Sequence, residues 1–215
     1  MPAPISVRNR TYHHYSSMVP AAGQPPFPGK VEKRSFLSPK KGRIGLKRTH
    51  GAYVDLGGRN ILLVIDEDSG LPGSEQWRFI HEVAKRLADA FPGLNARAKA
   101  ALASLHAVVF TRAPDRAFAN VPNGCFFYDT DEFKVGDSGR ISAAYAASNI
   151  VHDANHILLH REKKPHTGDA AEIACWQLQI DNKTALGLAP HEVAHVQGFI
   201  NDPASARIRM DQDPF

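Results

Sequence analysis

Cysteine is nearly missing from this chain of 215 residues, with only Cys125 and Cys175 present. Two cysteines are too few for a disulfide framework, and their separation matches no zinc ribbon or finger. Both are expected to be buried small apolar residues rather than ligands. Long apolar runs are missing too: no stretch approaches the roughly eighteen residues a membrane-spanning helix needs. Residues 1–30 lack the apolar segment of a secretory signal, so a cytoplasmic location is the default expectation. Internal repeats are also absent.

What is present is unevenly distributed. The net charge of +4 conceals ten Lys or Arg against a single acid, Glu32, in residues 1–50, a balance of +9, whereas residues 51–215 sum to −5. The basic segment contains Pro2, Pro4, Pro20, Pro25, Pro26, Pro28 and Pro39, shows no helix or strand period, and has too little apolar surface to fold alone. Residues 1–50 are therefore expected to form an extended basic arm. Such an arm either lies along an anionic partner, namely nucleic acid, an acidic protein or a lipid surface, or is a solvated extension. Residues 51–215 are expected to form the folded domain, at 43% apolar overall an ordinary composition for a globular chain.

The body begins near Tyr53. Tyr53-Val54-Asp55-Leu56 and Ile61-Leu62-Leu63-Val64-Ile65 flank Gly57-Gly58-Arg59-Asn60, which predicts two strands joined by a tight turn. Trp77, Ile80, Val83, Ala84, Leu87 and Phe91 recur at helical spacing, with Ser74 as a candidate cap and Pro92-Gly93 as a stop. A short helix over 95–104, a buried strand over 105–111 and a strand entering a hairpin or edge over 125–135 follow. Beyond Arg140 the pattern changes to helices over 141–160, 170–188 and 190–200. The expected class is α+β: a small antiparallel or mixed sheet followed by three consecutive helices.

The densest chemistry lies in His152-Asp153-Ala154-Asn155-His156. On a helix, positions i and i+4 share a face, so His152 and His156 can aim their ring nitrogens at one ion. This helix is apolar nearly all round, through Ile141, Ile150, Val151, Ile157, Leu158 and Leu159, and is expected to be buried. Histidines placed there need partners, and a metal satisfies both. His160 continues the series but stands about 12 Å along the axis from His152, too far to share the ion. It is read as a residue favoured by the helix C-terminus or as an outer group. Glu172 is almost the only acid in an apolar stretch of the next helix, where an unpaired carboxylate is costly. Facing the two histidines it completes a three-ligand site, with one position left for water.

His152, Asp153, His156 and Glu172 together resemble the zincin metallopeptidases of the gluzincin type, over roughly residues 105–200 in order of elements. The resemblance implies a Zn2+-dependent hydrolase acting on peptide or protein substrates, with His152, His156 and Glu172 as metal ligands. It also places Asp153 where the family has Glu as general base. Aspartate is shorter by about 1.5 Å of reach, which bears directly on whether it can serve. Tyr145, one helical stripe from His152, either lines the pocket or belongs to the core.

A literal HExxH occurs elsewhere, in His191-Glu192-Val193-Ala194-His195. Continued to Gly198 and Asn201 it imitates the metzincin pattern, but Asn201 stands where that pattern needs His or Asp. Asp202 is one residue out of register, and Met210 lies close to the end of the sequence. The helix that follows the sheet carries His152 and His156, so this pair is preferred. Two further readings stay open: a helical bundle whose histidines are satisfied by hydrogen bonds, and a non-catalytic interaction protein docked to a larger assembly or nucleic acid through its basic arm.

Overall fold

The computed structural model describes the backbone of residues 32–40, 43–57, 60–66, 73–111, 118–120, 124–129 and 142–204. Expectations placed on residues 1–31, on 130–141 and on Met210 lie outside the described residues, as does the side chain of Cys125.

The chain is α+β, as its pattern predicts. Among the described residues six strands form one mixed sheet: β1 (Glu32–Lys40), β2 (Arg43–Asp55), β3 (Asn60–Asp66), β4 (Ala107–Thr111), β5 (Phe118–Asn120) and β6 (Cys125–Asp129), in the spatial order β1-β2-β3-β4-β6-β5. The first three are antiparallel neighbours, β3, β4 and β6 run parallel, and β5 returns antiparallel at the edge. The anticipated strand pair around 57–60 is the β2–β3 hairpin, with Asp55 opposite Asn60. Pairing continues further back than the apolar pattern reaches. Thr49 lies opposite Asp66, and β1 pairs with β2 from Glu32 onward. The boundary expected at residue 50 therefore falls inside a strand. Sheet ladders are made by backbone groups, so a basic segment without apolar alternation can still extend one.

The crossover from β3 to the parallel β4 runs through α1 (Gly73–Ala90), a 3-10 turn (Phe91–Gly93) and α2 (Ala96–Ser104). Ile80, Val83 and Leu87 fall at i, i+3 and i+7 and are fully buried against the sheet residues Ile61, Leu63 and Val108. Asn95 caps α2 by accepting from the Ala98 amide at 2.8 Å. Gly124, at φ +69, turns the chain into β6 where a Cβ would lie 2.7 Å from the His106 ring and 2.8 Å from the Ser104 carbonyl. Only glycine fits both the conformation and the space.

The C-terminal part is helical: α3 (Ala143–Arg161), α4 (Asp169–Asp181), the single turn α5 (Lys183–Leu186) and α6 (Pro190–Asn201). α3 is the central helix. Ile150, Val151, Ala154 and Ile157 are fully buried in the same core as Phe110 and Phe126 of the sheet, which is where its all-round apolar sequence places it. The helix expected over 170–188 is broken at Asn182, whose backbone leaves the helical region (φ −108, ψ 10). Its side chain donates to the Leu178 carbonyl at 2.7 Å and accepts from the Asn95 amide at 2.8 Å, so the break also ties the helical layer to α2. Among the described residues no helix is long and apolar enough to cross a membrane.

Candidate metal centre

α3 and α4 are joined by a short connection over 162–168. Lys163 and Lys164 amides close the last carbonyls of α3, donating to His160 and Leu159. α4 then begins after Gly168 with Asp169 and Glu172 in its first turn, where the helix dipole favours acids. The two helices pack against each other so that the residue pair on α3 and the acid on α4 meet, as the sequence predicts.

His152 Nε2 and His156 Nε2 are 3.2 Å apart. Glu172 reaches both: Oε2 lies 3.1 Å from His152 Nε2, and Oε1 lies 3.4 Å from His156 Nε2. The side chains are 12%, 8% and 34% exposed for His152, His156 and Glu172. His156 Nδ1 is 2.8 Å from the His166 carbonyl, which can only accept, so Nδ1 carries the proton and Nε2 presents its lone pair to the centre whenever the ring is neutral. Fixing one ring nitrogen by a backbone carbonyl is the arrangement that orients a ligating imidazole. His152 Nδ1 is buried with no hydrogen-bond partner among the described residues, and the ring lies against Trp176 with centroids 5.9 Å apart.

Two groups that accept at the centre, His156 Nε2 of the neutral ring and the Glu172 carboxylate, therefore face each other beside His152 Nε2, and a positive charge among them satisfies both. Protons supply it in the metal-free chain. Burial opposes the His156 imidazolium, but contact with the Cys175 sulfur and the Glu172 carboxylate outweighs it and pushes the group up to about 11. Burial likewise opposes the Glu172 carboxylate, yet His152 and His156 hold it well below the usual carboxylate range. Desolvation pushes Asp153 up to about 6 against the attraction of both histidines. A metal ion is the other cation that fits. A tetrahedral ion with N and O bonds of about 2.0–2.1 Å separates its ligand atoms by roughly 3.3–3.4 Å, close to the spacings observed.

Cys175 joins this cluster, and the sequence reading missed it. It is fully buried as expected, but its Sγ lies within 4.8 Å of the ligand atoms of His152 and His156. It follows Glu172 by three positions and so shares its helical face. That spacing was the available signal; the small number of cysteines pointed away from it.

The HExxH helix looks different. Pro190 opens α6 and Glu192 sits in its first turn, where Oε2 accepts from the Ala189 amide at 2.8 Å and Oε1 from the Ser142 hydroxyl. Glu192 is thus a buried capping group that ties the start of α6 to the start of α3. His191 is exposed, and the His195 ring packs against Phe199 (4.6 Å) and Tyr145 (5.9 Å). Tyr145 is half-buried against the core, and His160 packs edge-on against His166 at 4.7 Å. Among the described residues His152, His156 and Cys175 form a group that could hold a metal ion, and neither His191 nor His195 belongs to it. No protein-family model, curated protein or solved structure matches this chain.

Proposed function

We propose that the chain is a zinc-dependent hydrolase whose metal is held by His152, His156 and Glu172. The observation that carries this reading is the convergence of two imidazole nitrogens and a carboxylate at 3.1–3.4 Å on a mostly buried point. Zinc so held supplies a Lewis acid that polarises a carbonyl and acidifies water. The chain's own residues do the rest. His166 orients His156 through its backbone, and the Trp176 ring packs beside His152. Asp153 follows His152 directly, in the place of the proton acceptor that the zincin resemblance implies, where burial pushes its carboxyl up and the two histidines draw it down. Peptide or protein as the substrate class comes from the zincin resemblance alone.

The test is the zinc content of the purified chain together with hydrolysis of an unstructured protein such as casein. One zinc per chain is expected, lost in His152→Ala and Glu172→Ala and kept in His191→Ala. Asp153→Asn should keep the zinc and lose hydrolysis. Equal zinc in His152→Ala and the parent protein would overturn the assignment.

The second reading, a non-catalytic protein docked to an anionic partner through its basic segment, is favoured by the concentration of positive charge in residues 1–50. Removing residues 1–50 would delete β1 and most of β2, a strand paired to β3, so a truncation confounds binding with folding. Replacing Lys33, Arg34, Lys47 and Arg48 by Gln is the cleaner test. Unchanged affinity and salt response for nucleic acid would remove that partner.

A further inference from the structure

We propose that Cys175 is a fourth, sulfur donor of the metal centre, and that Asn155 and Arg97 are positioning residues that present its sulfur. This inference rests on the metal reading above.

Asn155 lies on α3, one residue before His156, and is almost fully buried. One end of its amide is 2.9 Å from Arg97 Nε and the other is 3.3 Å from Cys175 Sγ. A guanidinium has no acceptor, so the atom facing Arg97 must be the amide oxygen. The amide NH2 therefore faces the sulfur, and Sγ is the acceptor of that hydrogen bond. The Asn155 amide thus fixes the position of the sulfur beside His156, as an outer hydrogen bond orients a ligand.

Arg97 is itself anchored. Its Nη1 donates to Glu162 at 2.6 Å, and Glu162 also pairs with Lys164 at 2.9 Å. The chain of contacts runs from the surface pair Glu162–Arg97 through Asn155 to Cys175, beside His156. A nitrogen and a sulfur bound to one tetrahedral zinc stand about 3.5 Å apart. The 4.8 Å limit within which the three ligand atoms lie exceeds that by roughly 1 Å, within the reach of one side-chain torsion.

Two consequences follow for the centre. A sulfur donor selects zinc or cobalt over magnesium or calcium, which take oxygen ligands. Four protein donors would close a tetrahedral zinc, so water would enter only where the most exposed donor, Glu172 at 34%, gives up its place to it.

Cobalt(II) titration of the full chain tests this without a substrate. The expected result is one bound cobalt with a sulfur-to-cobalt charge-transfer band in the near ultraviolet. Cys175→Ser should lose the band while still binding cobalt, and Cys125→Ser should keep it. Asn155→Leu and Arg97→Met should shift the band and weaken zinc binding by about 10–100-fold, whereas a purely structural role would leave the band unmoved. Cobalt bound to the parent chain without a sulfur band overturns the proposal and leaves the histidine–carboxylate site standing. Failure to bind cobalt or zinc at all removes the metal reading and this inference with it.

Discussion

Two helices of this chain carry histidines at i and i+4, and the one with the better string match has the poorer geometry. α3 and α6 differ in where the pair sits on its helix and in what faces it. His152 and His156 lie in the buried middle of α3, opposite the first turn of α4, with a carboxylate between their nitrogens. His191 and His195 lie near the start of α6, where His191 is exposed and His195 packs on aromatic rings. The acid that completes the HExxH pattern, Glu192, is occupied with the Ala189 amide and Ser142. Spacing along a helix therefore fixes only that two side chains share a face; the neighbouring element decides whether that face is a site.

The largest effect that could break this contrast is on metal affinity. His156→Ala should weaken zinc binding at least 100-fold, and His191→Ala should leave it unchanged, as read by competition with a chromophoric chelator; the reverse pattern would move the site to α6. Next is stability. Ile150→Ala, in the fully buried stripe of α3, should cost about 2–5 kcal/mol in urea unfolding, whereas Val193→Ala on the half-buried α6 should cost less. Glu192→Ala should cost about 1 kcal/mol through the lost cap and leave zinc content untouched; a loss of zinc would show that the capping role is incomplete.

The smallest effect concerns the outer end of the Arg97 contacts. Hydrogen bonds from Arg97 and Lys164 hold Glu162 down to about 2, from an ordinary 4.5. A lowered carboxylate contributes stability that is present above pH 4.5 and is lost as pH falls through about 2. The small difference in melting temperature between the parent chain and Glu162→Gln should therefore be constant above pH 5 and narrow below it. Salt should reduce it at all pH values, because the pair is exposed.

Much of the helical layer was legible. The apolar stripe of α3, the stop at Pro92-Gly93, and the meeting of Glu172 with His152 and His156 all follow from local periodicity and the cost of an unpaired buried acid. Other features depend on tertiary partners and left no local mark. β5 has three residues, too few for a period, and β1 with most of β2 extends the sheet through backbone pairing under a basic, proline-containing sequence. Asn182 breaks a helix because its amide is claimed by Asn95 and Leu178. Cys175 counts as a small apolar residue until Asn155 is seen beside it. The function of Glu192 was partly legible: Pro at the first helical position followed by Glu at the third is a helix-start signature, and the HExxH string obscured it.

The hold on His156 comes from a main-chain oxygen, that of His166, and so does not depend on which side chain occupies that position. Exchanging residue 166 for another amino acid leaves that oxygen in place, but adding or deleting one residue between Arg161 and Gly168 would carry it away from the ring. Position 166 should therefore tolerate wide variation in its side chain, and the hairpin between the two helices almost none in its length.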